Sequence, residues 1–265
     1  MRPLRGKWAL ILGASSGHGA AVALELAREG MNIFGVQLDL RATLPNAQRV
    51  IHQIQDLGSQ AVFFNTNAAD DAKRRQVLDA IRERLPEGEY VHVLLHSLAF
   101  GTLRPYVPED PGQAVTRAQM EMTLDVMAHS LVYWVQDMVY RRLLGPGSKV
   151  FAMTSAGSHR VFPAYGPVGA AKAALEYHVK HLAVELAGRG VAVNAIQAGV
   201  TDTPALRKIP GHERMLEFAR AHNPGGRITE PGDVARTILL LSKDDSPWVT
   251  GNVIHVDGGE DLVMI

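Results

Sequence analysis

Seven short apolar runs recur along the chain and constrain its architecture more than any other feature. They are WALIL (8–12), NIFGVQL (32–38), AVFFN (61–65), VHVLLHS (91–97), KVFAMTS (149–155), VAVNAIQ (191–197) and NVIHV (252–256). Each is short and rich in Val, Ile or Leu, as strands buried on both faces of a parallel sheet should be. Helical patterns lie between them at 18–29, 41–57, 70–85, 113–143, 164–188, 212–222 and 231–242. Strand–helix alternation of this kind predicts an α/β Rossmann fold with a doubly wound, seven-stranded parallel sheet and crossovers of one hand. Gly30, Gly58 and Gly190 stand just past helix ends, where a positive φ closes the last turn. No repeat, low-complexity segment or linker divides the chain, so residues 1–265 read as one domain. The most irregular stretch, 199–228, lies between strand and helix. Residues 201–226 within it are expected to form a mobile substrate lid.

Composition narrows the function. The 265 residues are 46% apolar, enough for a sizeable core. Twenty-seven basic residues balance 27 acidic ones, which gives no bulk attraction to nucleic acid or an anionic membrane. With no cysteine, disulfides, thiolate metal sites and cysteine nucleophiles are excluded. The apolar run before Gly13 is too short for a signal sequence or a membrane span, so a soluble, cytoplasmic protein is expected. Eleven histidines raise a metal reading, yet His178 and His181 have no carboxylate placed with them. They are read as surface or subunit-contact residues, with no metal site.

LILGASSGHGAAVALELAREG reads as strand, turn and helix, with Gly13, Gly17 and Gly19 in a G-x-x-x-G-x-G pattern. Glycines there let backbone approach a pyrophosphate, and the helix that follows aims its free N–H groups and positive end at the phosphates. Ser15, Ser16 and His18 belong to the same loop and are assigned to the cofactor with it. At the end of the second strand, Gln37 occupies the position that reads the adenosine ribose, with Asp39 and Arg41 just beyond. An acid there favours a free 2′-hydroxyl and a cation favours a 2′-phosphate. With no cation at Ser16, NADH is expected slightly ahead of NADPH. Asn67, followed by Ala68, is placed to offer an amide to the adenine edge.

These motifs, taken with HSLAFG (96–101), Tyr165 and Lys172, NAIQAG (194–199) and HVDGG (255–259), resemble the short-chain dehydrogenase/reductase superfamily over nearly the whole chain. Within it the chain is similar to the enoyl-acyl-carrier-protein reductases. The pointers are a Tyr-x6-Lys spacing in place of Tyr-x3-Lys, HSLAF, and AGVTDT. The mix of glycine loop and spacing resembles the NADPH-using variety found in some bacilli. The resemblance implies catalytic roles for Tyr165, Lys172 and Ser155. It also implies that His96, Ser97, Leu98, Ala198, Gly199, Val200, Thr201 and Thr203 line the nicotinamide end of the site, where Lys172 holds the ribose. It further implies an enoyl thioester on acyl carrier protein or coenzyme A as substrate, a place in fatty acid synthesis, and a homotetramer packed through 113–143 and 164–188. Three departures stand out. Ser155 replaces a second active-site tyrosine and falls where carbonyl-reducing relatives keep a serine. Asp125 replaces their helix asparagine. The nucleotide-reading segment lacks the cations of an NADPH enzyme. A carbonyl reductase of the same fold and a catalytically inactive nucleotide-sensing protein therefore stand as alternatives.

The spacing has its own physical reading. Seven helical residues turn about 700°, so Tyr165 and Lys172 share a face with a rise of roughly 10 Å between them. A lysine leans toward the helix N-terminus, which shortens that gap. A ketone reductase protonates the oxygen on the carbon that takes hydride. An enoyl thioester takes hydride at C3 while charge develops on the carbonyl oxygen two carbons away, and a phenol displaced along the helix suits that oxygen. The nearby ammonium is expected to lower the tyrosine pKa.

Overall fold

The computed structural model describes residues 3–263; the ends of the expected 1–265 domain lie outside them. The seven apolar runs form one sheet: β1 Trp8–Leu12, β2 Asn32–Gln37, β3 Ala61–Asn65, β4 Val91–His96, β5 Lys149–Thr154, β6 Ala192–Ala198 and β7 Val253–Val256. All pairings are parallel, in the order β3-β2-β1-β4-β5-β6-β7. The chain runs outward in one direction from β1 and in the other from β4, so their C-terminal ends flank a topological switch point.

Every residue of β1, β2, β4 and β5 is buried. This explains why their sequences do not alternate: helices cover both faces. On one face α1 (Gly17–Arg28), α2 (Leu44–Asp56) and α8 (Pro231–Lys243) pack Val22, Leu26, Ile54 and Ile238 against Ile11, Ile33 and Val93. On the other, α3 (Asp71–Arg84), α5 (Ser130–Tyr140) and α6 (Gly166–Leu186) pack Leu78, Trp134, Leu175 and Val179 against Leu10, Phe34 and Val150. Among the described residues, no helix is long and apolar enough to cross a membrane.

Two glycines fix α1 to the end of β1. A Cβ on Gly19 would lie 2.0 Å from the Gly13 carbonyl oxygen, and one on Gly13 would lie 2.4 Å from that of Ser97. Gly30, Gly58 and Gly190 have φ of 82°, 83° and 70°, as expected past helix ends.

The expected helix 113–143 differs from the reading. It starts at Arg117 behind a capping box between Thr116 and Gln119. α4 (Arg117–Leu124) then passes into a π-helical segment, Asp125–His129, before α5. Ser130 donates its hydroxyl proton to the Val126 carbonyl just beyond that bulge, and a π-bulge of this kind often marks a functional site. Apolar periodicity carries no signal for a single widened turn.

Candidate active site

The sequence brings a phenol, an ammonium and a hydroxyl together from two neighbouring elements. Ser155 follows the last residue of β5, and Tyr165 and Lys172 come from the start of α6. Tyr165 is the N-cap residue of α6 rather than a residue within it, with φ −87° and ψ −3°. Ala164 before it is held at φ 60°, an uncommon conformation for a residue with a Cβ. This sharp entry turns the tyrosine ring back over Gly157, where a Cβ would come within 2.3 Å of the ring. Phe162 meets the ring edge-on, with centroids 5.9 Å apart. The Tyr165 Oη then lies 3.2 Å from Ser155 Oγ.

Lys172 is fully enclosed. Its Nζ donates to the Met153 carbonyl at 2.6 Å. Burial pulls its pKa down to about 8, partly offset by the nearby Glu176 carboxylate, which itself accepts from the Thr154 hydroxyl at 2.6 Å. The expected effect of this ammonium on Tyr165 is not found. Burial raises the tyrosine pKa, and the Ser155 hydrogen bond opposes the rise only in part. The lysine points its charge at β5, and desolvation of the phenol prevails, so Tyr165 stays a protonated donor.

A cleft over the C-terminal strand ends gathers most of the expected residues. His18, Ser97, Leu98, Ser155, Tyr165, Lys172, Ala198, Gly199, Val200, Thr201 and Thr203 all line it. Its far wall is apolar, with Leu103, Met127, Phe162, Val168, Leu206, Ile209 and Met215. Gly13, Ser15 and Ser16, in the loop between β1 and α1, and Gly17 and Gly19, in the first turn of α1, lie outside this lining. Ser16 makes no side-chain cap of α1, and a Cβ on Gly17 would meet the Thr203 side chain across the cleft.

His18 Nδ1, in the first turn of α1, and Gln37 Oε1 and Asp39 Oδ2, at and just beyond the end of β2, are buried polar atoms without partners. Burial takes His18 down to about 4, so its ring is neutral. His96 does not line the cleft. It is wholly buried behind it, with Nε2 2.8 Å from Ser130 Oγ and a pKa pulled down to about 3 by burial and by Lys172. Since Ser130 gives its own proton to Val126, Nε2 is the donor, and Nδ1 remains a lone pair without a partner. Asn67 is exposed, its Oδ1 accepting from Ala69 N. Ala68 is buried and its carbonyl is taken by Trp134 Nε1 at 2.8 Å.

His178 Nε2 lies 3.0 Å from His129 Nδ1, and His181 pairs with Glu185. No group of three or more potential ligands among the described residues is placed to hold a metal ion. Glu260 is a cleft residue that sequence reasoning missed. Its carboxylate accepts from Val200 N at 3.1 Å, and burial raises its pKa. Only its place just after HVDGG hinted at it.

A seven-stranded parallel sheet, a glycine loop at its switch point and a Tyr–Lys pair at the strand ends define a Rossmann-fold protein of the reductase type. A family model described as enoyl-(acyl carrier protein) reductase matches residues 13–260. The chain belongs to the short-chain dehydrogenase/reductase superfamily and resembles its enoyl-acyl-carrier-protein reductases. It is 31% identical to the NADH-dependent enoyl-[acyl-carrier-protein] reductase FabI of Escherichia coli, over 99% of this chain and 97% of that protein. It is 29% identical to an NADPH-dependent aldehyde reductase-like chloroplast protein of Arabidopsis thaliana, over 97% and 95%. Its fold superposes on the NADH-dependent enoyl reductase of Aquifex aeolicus with a TM-score of 0.84, at 25% identity over 100% of both chains.

The buried lysine yields a stability prediction. Its folded pKa of about 8 lies below its ordinary 10.5, so the unfolded chain binds the extra proton between those values and stability rises with pH there. Below pH 8 the full cost of burying the charge is present. Lys172→Met should therefore raise the unfolding free energy by about 2 kcal/mol at pH 7. Urea denaturation across pH 7–10 should show that gain shrinking as pH climbs.

Proposed function

We propose that this protein reduces the 2,3-double bond of an enoyl thioester with a nicotinamide cofactor. The observation that carries the reading is the placement of Tyr165, a protonated phenol at the N-cap of α6, seven residues ahead of the lysine that is anchored on β5. The residues present fit a dinucleotide. The N-terminus of α1 has no side-chain cap from Ser16, its first turn carries Gly17 and Gly19, and His18, Thr201 and Thr203 line the cleft beside it. The bound nicotinamide would supply the hydride. Lys172 would hold the ribose with the N–H donors that Met153 leaves free. Tyr165, backed by Ser155, would donate to the thioester oxygen as an enolate forms, and a proton would then reach C2. The apolar wall, including Leu206, Ile209 and Met215 from 201–226, would receive the acyl chain, with that segment acting as a lid. We read the carrier as acyl carrier protein or coenzyme A, the pathway as fatty acid synthesis, and the assembly as a homotetramer through α4, α5 and α6.

A second reading rests on one specific contact. Ser155 Oγ and Tyr165 Oη, 3.2 Å apart, can also converge on a ketone or aldehyde oxygen, and one relative is named for aldehyde reduction. The two readings separate experimentally. Crotonyl thioester should be reduced far faster than acetoacetyl thioester. Tyr165→Phe should lower kcat by about 10²–10³, with the fold intact. Ser155→Ala should only impair the reaction. Faster reduction of the ketoacyl substrate, or loss of activity in Ser155→Ala with Tyr165→Phe active, establishes the carbonyl reading instead.

The acid at Asp39, beyond the end of β2, and the absence of a cation at Ser16 suit a free ribose hydroxyl better than a 2′-phosphate. NADH should therefore give the higher kcat/KM. A value about tenfold higher with NADPH, about 1.4 kcal/mol, reverses the assignment.

A further inference from the structure

The HVDGG motif marks the family, and in this chain it also builds a turn that grips two segments of the cleft. Gly258 and Gly259 adopt φ of 66° and 86°, folding the backbone over Asp257. The Asp257 carboxylate then accepts from Gly259 N through one oxygen and from Asp261 N through the other, each at 3.0 Å. Asn223 secures the Asp257 carbonyl at 2.7 Å. The two acids that follow, Glu260 and Asp261, are thereby held in fixed directions.

They reach two different segments, which run on from the adjacent strands β5 and β6. Both Glu260 oxygens lie 3.1 Å from Val200 N, in the segment 199–203 that follows β6. Asp261 meets the segment that runs on from Ser155. Its Oδ2 is 2.9 Å from His159 Nε2, its Oδ1 is 2.7 Å from Arg160 Nε, and its carbonyl accepts from Arg160 Nη2 at 2.6 Å. Gln197 Nε2 adds a bond from β6 to Asp261 Oδ2 at 3.1 Å. The segment from Ser155 to Arg160 is itself one tight turn, with Ser158 N bonded to the Ser155 carbonyl and Arg160 N to that of Ala156. It carries Gly157, on which the Tyr165 ring rests.

We propose that the turn Glu260–Leu262 is a brace that ties the segment carrying the hydroxyl, 155–160, to the segment 199–203 beyond the ends of β5 and β6, with Glu260 and Asp261 as positioning residues. The contacts alone carry the brace. Its consequence for catalysis rests on the hydride-transfer reading, in which one segment presents the proton donors and the other the cofactor. The interactions are charge-assisted and converge on two adjacent residues, so cutting either end releases both segments at once.

Hydrogen exchange on the free protein tests this directly. Glu260→Ala and Asp261→Ala should each speed exchange in both segments, 155–160 and 199–203, relative to peptides from β1. Glu260→Gln and Asp261→Asn, which keep an acceptor oxygen, should restore most of the protection. In turnover each alanine variant should lose roughly tenfold in kcat, and the double variant should lose no more than the worse single one. Loosening confined to the segment next to the cut, no loosening relative to β1, or losses that multiply in the double variant would overturn the brace. If the wild type reduces neither thioester nor carbonyl, the hydride-transfer reading fails, and the exchange result still decides the brace.

Discussion

The site is organised around one ammonium held out of water. Lys172 has no acidic partner in direct contact; a backbone carbonyl of β5 takes one of its protons, and burial lowers its pKa to about 8. A charge in that position is costly unless other groups satisfy it. The rest of the local structure follows. α6 must lie against β5 at a depth that lets Nζ reach Met153. The N-terminus of α6 then falls beside the end of the same strand, and Tyr165 at the N-cap meets Ser155 one residue beyond it. Glycine at 157 and 169 allows that approach, because a Cβ on Gly169 would lie 2.6 Å from the Gly157 carbonyl. The cost to stability is the counterpart of a site with protons still to donate.

Much of this was legible in the sequence. Strands buried on both faces cannot hide their composition, and their seven runs match β1–β7 to within a residue or two at each end. Gly13 and Gly19 announced a strand-to-helix junction with no room for their side chains. Helical spacing put Tyr165 and Lys172 on one face, although Tyr165 precedes the helix proper. The illegible parts depend on geometry across distant segments. The direction of the Tyr165 pKa turned on burial of the phenol, which depends on segments distant in sequence. The π segment at Asp125–His129 leaves the apolar pattern of 113–143 intact and so gave no sign. Glu260 lies 60 residues beyond Val200, and nothing periodic links a lone carboxylate to a backbone N–H at that separation.

The hydroxyl pair of this chain is compatible with either enoyl or carbonyl reduction. Two donors 3.2 Å apart can stabilise negative charge on an oxygen whatever carbon receives hydride. Their identity alone does not select the reaction; their distance from the donor of hydride does. Tyr-x6-Lys moves the phenol along the helix relative to the lysine, and apolar residues such as Phe162, Leu206, Ile209 and Met215 line the same cleft. Both features favour a substrate whose polar oxygen stands apart from its reacting carbon.

The position of hydride delivery therefore tests the central claim most directly. NADH carrying deuterium at the transferable C4 position should convert crotonyl thioester into butyryl thioester labelled at C3, as read by NMR or mass spectrometry of the isolated product. Label on a carbinol carbon formed from the thioester's ketone analogue, with none at C3 of the enoyl substrate, would contradict it.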